Sequence, residues 1–467
     1  MQNLLHRKEL TPLKAWLTRP TRKPLVIRGA RQVGKSTLVR QLANEVELAL
    51  LEINFERNPE YQEAFTTKDP AQITAALSLL AGHKTVAGKT LLFLDEVQAA
   101  PEVFASLRYF HEEMPDLHVI AAGSLLDFTL ADARFSMPVG RVEYFHLGPM
   151  GFEDFVRALD EHALADYLST LTLVDIRKQA LLKPVHDKCL ALMRQFWVVG
   201  GLPESVATYA NSQDFFEVSR IQQGIVATYR DDFNKYSSGK RNQLVRLVFD
   251  RLPGMVGRKF KYVNVSRDHS AADIESALQQ LCLARIANRI HHTSANGIPL
   301  GAEANSSYFK PLYLDIGLMC AALKLNVLDL AKEDLSMTNS GALAEQFIGQ
   351  QLLSAGPTFQ EPALYYWVRE AKSAAAEIDY LLRLGKEIIP VEIKAGKSGT
   401  LKSLHQFLKE KSRTYALRFN SDVPTLLNDS KTLTDGRIVD YHLLSLPLYL
   451  VEQAHRLAQE LLGNDEV

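Results

Sequence analysis

The chain has 467 residues, of which 46% are hydrophobic and 23% charged, and its formal net charge at pH 7 is −1. This length predicts two to four domains, each with a core of its own. The near-zero net charge excludes a chain-wide attraction to nucleic acid or membranes, so either partner would need a local charged patch.

Cysteine spacing and hydropathy bear on the compartment. The 3 cysteines are too far apart in sequence for a disulfide framework or a zinc motif, which favours a reducing cytosol. No apolar run reaches the ~18 residues of a membrane helix, and the first residues lack the apolar core of a signal peptide. We therefore expect a cytoplasmic protein without a membrane partner.

The first predicted element is a short amphipathic helix within residues 1–23. From residue 24 to about 150, strands alternate with helices, and the predicted strands are 25–28, 50–55, 91–94, 117–122 and 142–147. This alternation is typical of a parallel sheet in an α/β fold, whose ligands bind at the carboxyl ends of the strands.

A glycine-rich loop follows the first predicted strand and ends in Lys-Ser at the start of a helix, which is the P-loop pattern. Its residues are Gly29, Ala30, Arg31, Gln32, Val33, Gly34, Lys35 and Ser36, followed by Thr37. The backbone N–H groups and the helix N-terminus are expected to cradle the phosphates of ATP. Lys35 would reach the β- and γ-phosphates, and the Ser36 hydroxyl would hold Mg²⁺.

A later apolar strand ends in the two carboxylates Asp95 and Glu96, which is the Walker B pattern. An acidic pair at a strand end is ordinarily a solvated turn, but behind a P-loop it indicates a nucleotide site. Asp95 would bind Mg²⁺ through its water shell, and Glu96 would polarise the attacking water. The pair therefore predicts ATP hydrolysis rather than binding alone.

Residues 151–260 are predicted to form a mostly helical lid region, interrupted by a turn at the Gly-Gly-Leu-Pro sequence of residues 200–203. A polar helix at 271–281 is followed by two strands, at 283–292 and 307–315. A helix followed by a hairpin indicates a winged-helix-like domain over residues 261–335, although helix–hairpin units also have other uses.

Residues 336–467 are predicted to form a second α/β domain. Its elements are a helix from 341, strands at 363–368, 377–384 and 387–393, a helix at 401–409, a strand at 414–418 and a final helix at 446–462. Strand alternation puts Glu392 and Lys394 on one face, because residues i and i+2 project together. Asp379 lies on the neighbouring strand, and Glu345 on the preceding helix could add a carboxylate.

These side chains have the chemistry that metal-dependent phosphodiester cleavage needs. Glu345, Asp379 and Glu392 would hold one or two Mg²⁺ ions, and Lys394 would position or deprotonate the water. Between residues 366 and 413, ten Lys/Arg accompany six Asp/Glu, and a basic rim around a metal centre suits a phosphate backbone. A solvated hairpin face is the alternative explanation.

The chain resembles a widespread prokaryotic family of AAA-type ATPases that carry a C-terminal PD-(D/E)xK nuclease-like domain. The matching motifs lie at residues 29–36, 91–96, 123–124, 140–141, 200–203, 314–318, 345, 379 and 392–394. The resemblance implies that Ser124, where many such proteins have asparagine, senses the γ-phosphate. It also implies that Arg141 is an arginine finger or phosphate sensor, for which a sheet-edge ion pair is the alternative.

Together these observations predict a Mg²⁺-dependent ATPase that couples ATP hydrolysis to DNA binding or remodelling, with a metal-dependent nuclease site. DNA would be bound without strong sequence preference. If Arg141 completes a neighbour's ATP site, the protein is a homo-oligomer, either a hexameric ring or a smaller assembly. The alternatives are an ATP-driven switch or a defence effector whose C-terminal domain binds DNA or a partner without cleaving, and a defence effector whose nuclease activity is released by a trigger.

Overall fold

The computed structural model describes residues 5–124, 126–131, 140–235, 239–325, 340–369, 376–396, 401–432 and 436–463. The chain divides into two compact units, of which the first comprises Met1–Met150, Leu283–Ile286 and Gly356–Pro362. The second comprises Gly151–Cys282, Ala287–Ala355 and Ala363–Val467. Among the described residues, no helix combines the length and apolar character that a membrane span requires.

A parallel five-stranded sheet forms the centre of the first unit, as the sequence predicts. Its strands are β1 (Leu25–Arg28), β2 (Ala49–Asn54), β3 (Thr90–Asp95), β4 (His118–Ala122) and β5 (Glu143–His146). Its helices are α1 (Leu10–Thr18), α2 (Lys35–Glu45), α3 (Pro70–Ala81), α4 (Glu102–Glu113) and α5 (Leu126–Ala131). Every residue of β3 and β4 is buried, as expected of central parallel strands.

The order of these strands places the predicted nucleotide-binding residues together. The order is β2–β3–β4–β1–β5, so β4 separates the P-loop strand β1 from β3, which ends in Asp95. Because parallel strands share one carboxyl edge, the loops after β1, β3 and β4 lie at the same edge of the sheet. The P-loop, Asp95 and Ser124 therefore meet although they are far apart in the chain.

The second unit begins with helices, as the apolar spacing predicts. They are α6 (Phe152–Ala158), α7 (His162–Thr170), α8 (Leu173–Arg177), α9 (Lys183–Val199), α10 (Pro203–Ser212), α11 (Phe215–Asp232), α12 (Gly239–Arg251) and α13 (Ala271–Leu283). Phe152 and Phe155 both pack edge-to-face on Phe196, with ring centroids 6.0 Å and 5.3 Å apart. Such aromatic contacts stabilise the helix packing beyond the burial of area.

A mixed eight-stranded sheet completes the second unit. Its strands are β6 (Ala287–Thr293), β7 (Ala304–Tyr313), β8 (Tyr365–Val368), β9 (Glu377–Leu384), β10 (Glu387–Ile393), β11 (Tyr415–Asn420), β12 (Thr425–Thr432) and β13 (Ile438–Pro447), in the order β12–β13–β11–β10–β9–β8–β6–β7. The accompanying helices are α14 (Ile316–Ala322), α15 (Ser340–Ala355), α16 (Lys402–Lys411) and α17 (Ala454–Gly463). β8, β9 and β10 form an antiparallel meander, and β11 runs parallel to β10 after α16.

The predicted hairpin exists, but it lies in this sheet rather than in a module of its own. β6 pairs with β7 antiparallel and with β8 in parallel, through His291 and His292. The last five residues of β7 are buried, so the hairpin shares the core of the C-terminal strands. Residues 326–335 of the predicted winged-helix-like segment lie outside the described residues, as do Glu370, Lys372 and Lys397 of the predicted basic rim.

The C-terminal helix begins later than the sequence predicts. A helix was expected over 446–462, whereas β13 runs to Pro447, a 3-10 turn follows at Leu448–Gln453, and α17 starts at Ala454. β13 lies between β11 and β12, and its last five residues are all buried. A strand buried on both faces has no alternating pattern, so its apolar run looks like part of a helix.

Two glycine-containing motifs of the sequence meet around one buried carboxylate, that of Asp315. Asp315 caps α14 and accepts hydrogen bonds from Gly201 N, at 2.7 Å, and from Gln350 Nε2, at 3.1 Å. A side chain at Gly200 would overlap the Asp315 carboxylate, and a Cβ at Gly317 would lie 2.6 Å from Gly200 N. Burial raises the pKa of Asp315. We call this group of contacts the Asp315 junction. It joins α9, α14 and α15, so the motifs at residues 200–203 and 314–318 act in packing.

Candidate functional site

The loop between β1 and α2 has the backbone geometry that a phosphate cradle requires. Gly34, directly before α2, has φ +91°, a left-handed value that glycine adopts without steric cost. A side chain at Gly29 would overlap the carbonyl oxygen of Leu147. Of the other predicted loop residues, Val33 is buried, Arg31 and Gln32 are half-buried, and Thr37 is exposed on the first turn of α2.

The ammonium of Lys35 lies inside this loop. Its Nζ donates to the carbonyl oxygens of Gly29, at 3.0 Å, and Ala30, at 2.9 Å. The side chain is buried, and this burial lowers the pKa of Lys35 to about 8 although Glu96 and Asp95 oppose the shift. Because the loop carbonyls are the direct partners of Nζ, phosphate oxygens entering the loop could replace them.

Ser36 and Asp95 form the pair that would hold Mg²⁺. Ser36 Oγ donates to Asp95 Oδ2 at 2.8 Å, and Asn54 Nδ2 lies 3.5 Å from the same oxygen. Burial raises the pKa of Asp95, although the bond from Ser36 opposes this shift. A hydroxyl and a carboxylate at this separation are oxygen donors of the kind that Mg²⁺ prefers, so these residues fit the ion.

The carboxylate of Glu96 connects the end of β3 with the end of β4. Its Oε2 accepts a hydrogen bond from Gln98 Nε2 at 2.7 Å and from the backbone N and Oγ of Ser124, each at 3.3 Å. Glu96 itself has φ +53°, a left-handed value that is uncommon for glutamate. A side chain at Gly123 would overlap Gln98, so the glycine before Ser124 makes room for this arrangement.

Arg141 does not join this group of residues. Its Nε lies 2.7 Å from Glu112 Oε1 on α4, and its side chain is 44% exposed. Glu143 at the start of β5 is in register with Leu25 at the start of β1. Arg141 therefore lies at the amino edge of the sheet, opposite the P-loop edge, and the alternative of a sheet-edge ion pair is what the structure contains.

In the second unit, Asp379, Glu392 and Lys394 come together as strand alternation predicts. Asp379 Oδ2 on β9 accepts a hydrogen bond from the backbone N of Ile393 on β10, at 2.7 Å. Lys394 Nζ lies 2.5 Å from Glu392 Oε1. Glu345 on α15 belongs to the same cluster: the hydroxyl of Tyr380, the residue after Asp379, donates to the Glu345 backbone oxygen at 2.9 Å, and Asp379 helps to raise the pKa of Glu345. We call these four side chains, with Lys310 and Glu377, the carboxylate cluster.

Lys310, which the sequence analysis missed, lies among these carboxylates. Its Nζ is 3.2 Å from Glu345 Oε2 and also pairs with Glu377. The residue is 3% exposed. Burial lowers the pKa of Lys310, but its carboxylate neighbours outweigh burial and raise it overall. The sequence feature that could have indicated Lys310 is a lysine in the otherwise apolar end of a strand, where Phe309 and Leu312 are buried beside it.

Charge in the cluster is unbalanced. Four carboxylates face two ammonium groups, which leaves two negative charges when all are ionised. Burial, together with Asp379, raises the pKa of Glu345 to about 8 and that of Glu392 to about 7. One ammonium from each lysine cannot neutralise all of the carboxylates, so protons or a divalent cation would complete the balance.

The cluster has donors for a metal but no ready-made metal site. Glu392 Oε2 is buried without a hydrogen-bond partner among the described residues, and oxygen donors suit Mg²⁺ or Mn²⁺. In the part of the chain that the structure describes, however, no three Asp, Glu, His or Cys side chains are grouped so as to hold a metal ion. A metal would therefore require Glu345, Asp379 and Glu392 to shift around Lys310.

Comparison with protein families agrees with the geometry of the first unit. Residues 21–156 match the family model of the AAA domain. The chain carries an AAA-type P-loop ATPase domain. Residues 190–329 and 340–446 match two domains of unknown function, DUF8612 and DUF4143. No curated protein matches the sequence.

Solved structures resemble the chain only weakly. The structure of C. elegans PCH-2 is 13% identical with a TM-score of 0.28, covering 46% of this chain and 65% of its own. The structure of Drosophila ORC bound to DNA is 15% identical with a TM-score of 0.27, and the match covers 70% of this chain and 88% of that chain. The S. cerevisiae Hsp104–ADP complex is 15% identical with a TM-score of 0.26, and the match covers 61% of this chain and 39% of that chain. At such scores the likeness supports no statement about function.

Within the AAA domain, the sequence analysis missed two residues that contact the predicted ones. Asn54 reaches Asp95 from the end of β2, and Gln98 holds Glu96 from the turn after β3. The available signal was a polar residue at a strand end, but only the strand order shows which strand ends are neighbours.

Proposed function

We propose that the protein is a Mg²⁺-dependent ATPase that uses ATP hydrolysis to drive its action on DNA. The observation that carries the ATPase part of the proposal is the convergence of Lys35, Ser36, Asp95 and Glu96 at one edge of the AAA domain's sheet; the DNA part rests on the sequence resemblance and the basic rim of residues 366–413. Lys35 would bind the phosphates, and Ser36 and Asp95 would hold Mg²⁺, which when bound would supply charge neutralisation at the phosphoryl group. Glu96 orients the attacking water and accepts its proton.

Ser124 is proposed to couple Glu96 to the γ-phosphate. Its two contacts with Glu96 are 3.3 Å long, whereas the contact from Gln98 is 2.7 Å. The Ser124 contacts are therefore the weaker ones and the easier to exchange for a phosphate oxygen. Such an exchange would release one side of the Glu96 carboxylate toward water while Gln98 keeps its position.

Two substitutions test the ATPase proposal. Lys35→Ala should abolish nucleotide binding, whereas Glu96→Gln should bind ATP but lose turnover, because the Mg²⁺ ligands remain while the water-activating carboxylate is gone. Phosphate release and binding of a fluorescent ATP analogue measure the two effects. Glu63→Gln, at an exposed position of the same domain, is the matched control. Normal phosphate release by Glu96→Gln would contradict the assignment.

For the second unit, we propose metal-dependent cleavage of DNA phosphodiesters at the carboxylate cluster. The order of α15, the β8–β10 meander, α16 and the parallel strand β11 supports a PD-(D/E)xK-like fold, because Asp379 and Glu392 then lie on neighbouring strands. Glu345, Asp379 and Glu392 would hold the metal, which supplies a hydroxide and Lewis-acid stabilisation. Lys394, held by Glu392, would orient the water.

A specific observation favours a second candidate, a non-cleaving ATP-driven switch. Lys310 already pairs with Glu345 and Glu377, so an internal cation takes part of the role that a metal would have. In that case the second unit would bind DNA or a protein partner, and the ATP state would set its conformation. A defence effector, in which ATP triggers cleavage once, is the variant of the first candidate that keeps nuclease activity.

Plasmid nicking in Mg²⁺ and in Mn²⁺, with and without ATP, separates these candidates. Asp379→Ala should lose cleavage and Lys394→Ala should keep metal binding but lose cleavage, while both keep ATP hydrolysis because the two sites lie in separate units. Asp268→Ala, at an exposed position, is the control. No nicking by the wild type, or nicking that survives Asp379→Ala, would leave the switch as the function.

A further inference from the structure

The segment between α12 and α13 is strongly basic. Its residues 252–270 contain four Arg/Lys and one acidic residue, Asp268, and Arg251 directly precedes it at the end of α12. Arg251, Arg258 and Lys259, together with Gly254, Met255 and Asn264, line a pocket of about 220 Å³. This is smaller than the ~300–1,000 Å³ of sites for drug-sized ligands, so it suits a phosphate group better than a whole cofactor.

The cations of this pocket, which we call the basic pocket, are not neutralised by carboxylates. Arg251, Arg258 and Lys259 are all exposed, and no carboxylate among the described residues pairs with any of them. Among the described residues, the acidic side chain bonded to this segment is that of Glu275, which Tyr262 contacts at 2.8 Å and with which Arg289 already pairs at 2.6 Å. The pocket therefore presents positive charge that no described carboxylate neutralises, although Lys259 Nζ makes a cation–π contact with Tyr308, 3.3 Å from the ring centroid.

Backbone and ring contacts fix the basic pocket beside the carboxylate cluster. Phe260 N donates to Phe309 O at 2.9 Å, and the two rings stack with their centroids 5.2 Å apart. Phe309 directly precedes Lys310 of the carboxylate cluster. A Cβ at Gly257 would lie 3.3 Å from Glu345 Oε1. Both sites lie in the second unit, so this neighbourhood is part of one compact body.

We propose that the basic pocket binds a backbone phosphate of nucleic acid and so holds the neighbouring phosphodiester against the carboxylate cluster. When its carboxylates are ionised, the cluster carries a net negative charge that repels a polyanion, and a cationic site next to it offsets that repulsion. The inference depends on the proposed function only for the source of the phosphate. Phosphate contacts of this kind position nucleic acid without reading its sequence.

The test measures binding rather than cleavage. All proteins carry Lys35→Ala, so the P-loop does not bind the probes, and EDTA removes metal. Fluorescence anisotropy follows a labelled oligonucleotide, single- or double-stranded, across a salt series, and calorimetry follows inorganic pyrophosphate. The variant is Arg258→Ala with Lys259→Ala. The control, Lys183→Ala with Arg220→Ala, also removes two exposed cations, but these already pair with carboxylates.

The pocket variant should bind the oligonucleotide more weakly than the control, and the slope of log affinity against log salt should fall by about 2, roughly one for each phosphate contact. Equal affinity and slope in variant and control would overturn the pocket while leaving DNA as the partner. If pyrophosphate binds and its binding is lost in the variant, but no oligonucleotide binds, the pocket stands and the DNA part of the proposed function fails. Binding of neither probe refutes the pocket.

Discussion

Replacement of Lys310 by methionine perturbs the carboxylate cluster most directly. Lys310 pairs with Glu345 and Glu377, and its side chain is 4% exposed, so solvent does not screen these interactions. Removing one partner of a buried ion pair costs about 3–5 kcal/mol, because it leaves a buried charge uncompensated. A domain has about 5–15 kcal/mol of stability in total, so the second unit should lose a large part of it.

The loss of stability in Lys310→Met should be smaller at low pH than at high pH. Glu345 and Glu392 have pKa values raised to about 8 and about 7, so the folded state binds more protons than the unfolded state between their usual pKa of 4.5 and these values. Stability contributed by these protons is fully present below pH 4.5, decreases as pH rises above that value, and is lost once pH has passed the raised pKa values of about 7 and 8. Each such proton changes stability by ~1.4 kcal/mol per pH unit.

Without Lys310, the carboxyls should hold their protons to still higher pH, so the variant is penalised less at pH 6 than at pH 8.5. Urea unfolding of wild type and Lys310→Met at both pH values, followed by tryptophan fluorescence, measures the difference. Lys386→Met, at an exposed position, controls for loss of a lysine. A penalty below ~1 kcal/mol, or one that is the same at both pH values, would refute the reasoning. Mn²⁺ should restore part of the stability at pH 8.5 if the cluster binds metal.

Three further predictions concern other parts of the chain. Burial lowers the pKa of Lys35 to about 8, and bound phosphates should raise this pKa again. ATP binding should therefore take up a proton above pH 8 and weaken as pH rises further. Calorimetry in buffers of different ionisation enthalpy measures this proton uptake, and its absence would contradict the burial argument. Gly317→Ala should destabilise the protein by ~1–3 kcal/mol, since its Cβ would lie 2.6 Å from Gly200 N, whereas Gly224→Ala in open space on α11 should not; equal melting temperatures would count against the Asp315 junction. Because Arg141 pairs with Glu112 at the amino edge of the sheet, Arg141→Ala should leave ATP turnover largely unchanged; a fall in turnover without loss of binding, in an assembly that light scattering detects, would instead assign Arg141 to a neighbour's site.

The sequence by itself determined the AAA domain and its phosphate loop. The P-loop is contiguous in the chain, and its glycines and Lys-Ser pair carry the geometry locally, as the left-handed φ of Gly34 shows. The predicted strands of the parallel sheet are all present, because each is an apolar run bounded by polar turns. In the second unit, the period-2 pattern of β9 and β10 was enough to place Asp379, Glu392 and Lys394 together.

Only the tertiary structure decided which distant residues complete these sites. Gln98 and Ser124 hold Glu96 because β3 and β4 are neighbours, and Lys310 reaches Glu345 because β7 joins the C-terminal sheet. The same sheet also contains β12 and β13, for which the sequence predicted no strands, and β13 extends into the first two residues of the helix predicted at 446–462. Local patterns record which face of an element is buried, but they do not record which other element covers it. Contacts between separate elements, such as that of Lys310 with Glu345, depend on that second piece of information.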